Sequence, residues 1–238
     1  MDPIHTIALT MGVAWASGIN LYAAVFMLGY LGMTGNIQLP PDLVVLSDPL
    51  VLAAAGLMYC VEFFADKTPG VDTGWDAIHT FIRIPAGAIL AAGAIGDVSP
   101  AAQLAAGLVG GAMAAGSHFT KSGARILINT SPEPFSNWTA SIAEDIAVFA
   151  GLWAALHYPV VFLALLVVFI ALMIWLWPKL WRALHKLFGF IGRLFGKRPA
   201  QADITTNINL GTPELKQDTK LNKNLNPDLN PDLNKDAT

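Results

Sequence analysis

Long apolar runs with short polar punctuation between them set the pattern of this chain. A helix that crosses a bilayer needs about 20 predominantly apolar residues. Residues 7–31 form the first such run, broken near its middle by Ser17, Gly18 and Asn20. Residues 32–49, with Pro40, Pro41 and Pro49, read as a loop or a short interfacial segment. Further runs occupy 50–64, 78–95, 101–116, 142–156 and 160–177, and the fourth has a polar continuation over 118–129. Ser99 is placed to cap the fourth helix, with Pro100 at its first position. Gly107, Gly111 and Ala115 recur every four residues there, which lets another helix approach closely. The pattern predicts an all-α, polytopic transmembrane helical bundle of about six spans, or five plus a re-entrant segment.

Composition agrees. Hydrophobic residues make up 54% of the chain and charged residues 13%, against about 25% charge in ordinary soluble domains. The N-terminus lacks the basic region and small-residue cleavage site of a signal peptide, so a retained first helix is expected. Cys60 is the sole cysteine, which excludes an internal disulfide framework, and its apolar context predicts a small buried hydrophobe. The connections 32–49, 96–100 and 156–159 contain no Lys or Arg. The other connections, Arg83 near the mouth of the third run and the region after 178 hold all fourteen basic residues. With six spans this asymmetry predicts both termini in the cytoplasm. The chain divides into three regions: a transmembrane domain over 1–178, a basic amphipathic or stop-transfer segment over 179–198, and a low-complexity, disordered cytoplasmic tail over 199–238.

Inside the hydrophobic part, charge concentrates in two stretches. Glu62 and Asp66 share a helix face, beside Lys67. Asp76, His79 and Arg83 share another, as do His118, Lys121 and Arg125, which run toward Asn129. Glu144 and Asp145 sit at the mouth of the fifth run. Charges in an apolar bundle must pair or line a wet cavity. One charge alone reads as part of a salt-bridge network at helix ends; the whole set reads as a binding site or proton relay. Ser17, Gly18, Asn20 and Tyr22 form a polar notch, expected to be a close helix crossing with Asn20 bonded across it.

The two stretches also align with each other. Thr68, Pro69, Thr73 and Trp75 match Ser131, Pro132, Ser136 and Trp138 without gaps, and Asp66 falls opposite Asn129. This suggests an internal repeat of helix hairpins, a common construction in transporters. No nucleophile elbow, phosphate loop, dinucleotide fingerprint or metal-ligand set is present, and no cofactor or nucleic-acid partner is expected.

The segments Ser17–Ala24, Glu62–Lys67 with Pro69–Thr73, Trp75–Asp76, His79–Arg83 with Pro85–Gly87, and Asn129–Pro134 resemble a family of bacterial integral membrane proteins known as domain of unknown function 4126. The resemblance covers about residues 8–155. It implies a multi-span membrane domain and no particular activity. The leading expectation is a transporter-like inner-membrane protein for a small solute, anionic if Arg83, Lys121 and Arg125 hold its charge. The alternatives are an accessory or scaffold protein that recruits a partner through the basic segment and tail, and a membrane-embedded enzyme. The expected partners are the bilayer, the solute and further copies of the chain.

Overall fold

The structure, a computed structural model, describes residues 2–68, 70–130 and 134–195. The expectations for Pro69, Pro132, residues 196–198 and the tail lie outside these residues. Six α-helices succeed one another: α1 Pro3–Met33, α2 Pro49–Ala65, α3 Val71–Ala94, α4 Pro100–Ile128, α5 Pro134–His157 and α6 Pro159–Phe195. A short 3₁₀ helix, Pro41–Ser47, precedes α2, and there is no strand among the described residues. Helix starts obey the expected chemistry. Asp48 accepts from the Leu50 amide at 2.8 Å and Ser99 from the Ala102 amide at 3.3 Å, each ahead of a proline.

Among the described residues four helices, α1, α3, α5 and α6, are long and apolar enough to cross a membrane, and the pair Pro41–Ser47 and Pro49–Ala65, bent by 69°, adds a fifth if it counts as one span. Large apolar side chains such as Phe81, Leu50, Ile89 and Val160 point outward. On a soluble surface such a coat would drive aggregation; in lipid it is the solvent-matched face.

The first helix is the centre of the fold, in contact with all the others. It is broken at Asn20, whose backbone is extended at φ −146° and ψ 97°. The break has a local cause. The Ala23 amide donates to Asn20 Oδ1 at 2.9 Å instead of to the Ile19 carbonyl four residues back. Asn20 thus ends one helix and caps the next.

The consequence is a reversal of direction. Thr6 and Ile7 line one cavity together with Leu39, Pro40, Ala94 and Ile95. Gly32 packs against that same Leu39. On a straight helix Thr6 and Gly32 would stand about 39 Å apart at 1.5 Å per residue, too far for Leu39 to meet both. Residues 3–19 therefore run inward and residues 21–33 run back out. Packing agrees along the way: Gly12 meets Ala155, Trp15 meets Gly151, and Asn20 meets Asp145, while Phe26 meets Gly56 and Gly29 meets Leu46.

Both mouths of α1, the 3₁₀ helix and the α3–α4 turn lie at one end of the bundle. Aspartates 42, 48 and 97 stand in these connections, with no Lys or Arg; we refer to it as the acidic end. The α2–α3 tip and the late part of α6, where Leu180 packs on Gly123, lie at the other, basic end. Pro3 and the late part of α6 are at opposite ends, because α1 enters and leaves on one side.

Small residues set the tight spacing. A methyl at Gly18 would overlap Ser117 Oγ and the Ala114 carbonyl, and one at Gly110 would overlap Ala91. Gly107 and Gly111 of the small-residue stripe receive Ala88 of α3, so the stripe serves packing within this chain. Cys60, expected inside, is exposed on the outer face of α2. The basic segment is no separate element: α6 continues through Pro178 to Phe195.

Candidate functional site

Most of the charged residues singled out in the hydrophobic part converge around the tip of α1. Arg83 and Arg125 have no exposed surface, and Glu62, Asp72 and His118 have none either. An α-helix puts residues three and four apart on one face, which presents Glu62 and Asp66 from α2 and the turn after it, Asp76 and Arg83 from α3, and His118, Lys121 and Arg125 from α4.

Arg83 is the first hub. Its Nη2 donates to Glu62 Oε1 at 2.6 Å, and its Nη1 donates to Asp76 Oδ1 at 3.1 Å and to His118 Nδ1 at 3.2 Å. A guanidinium has only donors, so His118 Nδ1 accepts, and its Nε2–H faces Thr80 Oγ1 at 2.7 Å. Lys121 is the second hub. Its ammonium donates to Asp66 Oδ2 at 2.7 Å and to the Ile19 carbonyl at 3.1 Å, and it lies 3.5 Å from Glu62. That carbonyl is the one freed by the break in α1. Arg125 is the third. It pairs with both oxygens of Glu144, at 2.6 and 3.2 Å, and donates to the Asp66 carbonyl at 2.8 Å and to Asn137 Oδ1. Each cation is thus paired from two or more helices, which is what a charge removed from water requires, although Arg83 Nε has no acceptor among the described residues.

Other predicted residues sit beside these hubs. His79 turns away from the charges: its Nδ1–H faces the Trp75 carbonyl at 2.8 Å, and its Nε2 accepts from the Tyr22 hydroxyl at 3.1 Å. Trp75 stacks on its ring at 4.2 Å between centroids. Asn129 joins the hairpin tips, donating to both Asp72 oxygens at 2.8 and 2.9 Å. Trp138, its counterpart in the aligned stretch, is 52% exposed, so the two tryptophans have different surroundings.

Lys67 and Asp145 stand apart. Lys67 Nζ donates to the Phe63 carbonyl and to Ser141 Oγ, both at 3.2 Å, and lies 3.0 Å from the Phe63 ring centroid. Asp145 accepts from Asn20 Nδ2 at 3.0 Å. Among the described residues neither has an opposite charge within 4.0 Å, although both are buried. Burial lowers the Lys67 pKa from its ordinary value, while Asp145 and Asp66 pull it back up.

The model of the family described as Domain of unknown function (DUF4126) matches residues 7–179. The chain belongs to this family. No curated protein and no solved structure matches it. The matched region takes in the last apolar helix, which lies beyond the residues that carry the resemblance in the sequence. In this DUF4126 chain the candidate residues reach far beyond the charged ones. Asn20, Asp72, Asn137 and Ser141 are fully buried and hold the centre together. Asp72 carried a signal, as an acid in an apolar region. Asn20 had one too, since asparagine is a poor residue for the middle of a helix. It is bonded across a close crossing, as the notch predicts, and it is also the reversal point of α1. For Asn137 and Ser141 only the folded packing reveals the role.

Proposed function

We propose that this DUF4126 protein carries a small solute across the bacterial inner membrane. The observation that carries this reading is the re-entrant α1. Its tip, with one freed carbonyl and one polar side chain, meets the buried charges of two helix hairpins. Broken helices meeting at a polar centre inside an apolar bundle are the usual construction of secondary transporters. A scaffold needs no such break, because a continuous helix would satisfy its own backbone at lower cost.

In this reading α2 to α6 cross the membrane and α1 enters from one side only. The hairpins α2–α3 and α4–α5 are a parallel repeat. Support comes from matched boundaries: Ala65 and Ile128 end the aligned helices, and α3 and α5 are each 24 residues long. The basic end faces the cytoplasm, so the C-terminal side of α6 is inside and Pro3 is on the opposite face. Arg83, Lys121 and Arg125 are each held by carboxylates, which favours their role as fixed partners over that of receptors for an anion. Acids outnumber cations in the centre, and Glu62 Oε2, Asp66 Oδ1 and Asp76 Oδ2 are buried with no donor among the described residues. A proton or a monovalent cation is the coupling ion that this balance accommodates.

The test is uptake into proteoliposomes over a panel of amino acids, organic acids, sugars and inorganic ions, with and without an imposed proton gradient. Flux that falls at least tenfold in Asp66→Asn and Asn20→Ala supports the proposal. Absence of both flux and binding across the panel, with monodisperse protein, overturns it.

A further inference from the structure

We infer that Lys67 and Asp145 form a binding site for a zwitterion: a ligand with an ammonium group, an anionic group a few bonds away, and an apolar remainder. The inference names a substrate class for the transport reading and rests on that reading for every step after binding.

Among the described residues, these two are the buried charges of the centre that the network leaves without a close counter-charge, besides Asp72, whose oxygens are taken by amides and Asn129. Asp145 is only 7% exposed, yet just Oδ1 is bonded; Oδ2 has no donor among the described residues. Lys67 bonds Ser141, four residues before Asp145 on α5. Ser141 and Asp145 share one face of α5, so the ammonium stands on the carboxylate's side of that helix, yet more than 4.0 Å from it. Isolated buried charges are costly, and a direct pair would relieve both. The helices instead hold them apart at a distance that a molecule bearing both complementary charges can bridge. Its ammonium donates to Asp145 Oδ2. Its anion takes a proton of Lys67 not already directed at Ser141 or Phe63.

The space beside the pair fits the apolar remainder. A cavity of about 360 Å³ opens between α2 and α5, lined by Asp145 together with Tyr59, Phe63, Ile146 and Phe149. Phe63 carries Lys67 on its face and borders this cavity as well. The cavity opens outward past Ile142 and Ile146, which are 44% and 61% exposed, toward the bilayer. Two sources share this chemistry: a free amino acid with an apolar side chain, and the headgroup of an aminophospholipid.

The experiment uses the full chain in nanodiscs made once with phosphatidylglycerol alone and once with added phosphatidylethanolamine. Leucine, isovalerate and isobutylamine are titrated calorimetrically, and retained lipid is identified by native mass spectrometry. Leucine binding at least tenfold tighter than either half-molecule assigns the site to the free zwitterion. Selective retention of phosphatidylethanolamine assigns it to the lipid. In either case Lys67→Met and Asp145→Asn, each a neutral near-isostere, should weaken binding at least tenfold while thermal stability is kept. The inference is overturned if neither ligand binds, if the half-molecules bind as well as leucine, or if both variants bind like the parent chain. Binding without flux would overturn the transport reading alone. Flux that is insensitive to both variants would overturn this site alone.

Discussion

Arg83 offers the sharpest test of the charge centre. It is fully buried and answers two carboxylates and a histidine, at 2.6, 3.1 and 3.2 Å. Arg83→Met keeps a long side chain and removes the charge. Glu62 and Asp76 would then face each other with only Lys121 left, at 3.5 and 3.8 Å. Breaking a buried pair by removing one partner costs about 3–5 kcal/mol, whereas an exposed pair is worth about 0–1. At about 1.4 kcal/mol per decade, the unfolding equilibrium should move by roughly two to three and a half orders of magnitude. Adding Glu62→Gln removes one of the stranded charges, so the double variant should be more stable than Arg83→Met alone. Unfolding free energies from SDS titration in mixed micelles measure all three chains. A loss under about 1 kcal/mol for Arg83→Met, or a double variant less stable than the single one, would refute the burial argument.

The remaining expectations come from the break and the packing. Asn20→Leu loses the cap on the Ala23 amide and the bond to Asp145, and should cost about 2–3 kcal/mol in the same titration. Gly18→Ala forces a methyl into Ser117 and the Ala114 carbonyl and should cost about 1–3 kcal/mol by that measure, since backbone cannot yield as a side chain can. In a Cys60→Ser background, single cysteines at Thr6, Asn36 and Asp97 should react with an impermeant maleimide from one side of the membrane, and one at Thr130 from the other. Labelling of the Thr6 and Asn36 positions from opposite sides would show that α1 crosses.

The run lengths, the polar punctuation and the lack of strand alternation specify a helical membrane protein, and these are properties of one residue and its near neighbours. Helix caps at Ser99, the shared faces of His118, Lys121 and Arg125, and the partition of basic residues to one end are local in the same sense. The number of crossings is not. Residues 7–31 are long enough to span, and hydropathy reports length and polarity but no direction. Only the folded chain, where Asn20 takes the Ala23 amide and both mouths of α1 meet Leu39, decides that the segment turns back. Pairing is equally out of reach of the sequence. Arg83, Lys121 and Arg125 could face solute or carboxylates, and that choice depends on which helices lie side by side. The same applies to Lys67 and Asp145. Lys67 meets Ser141 where the turn after α2 reaches α5, a contact between residues far apart in the chain.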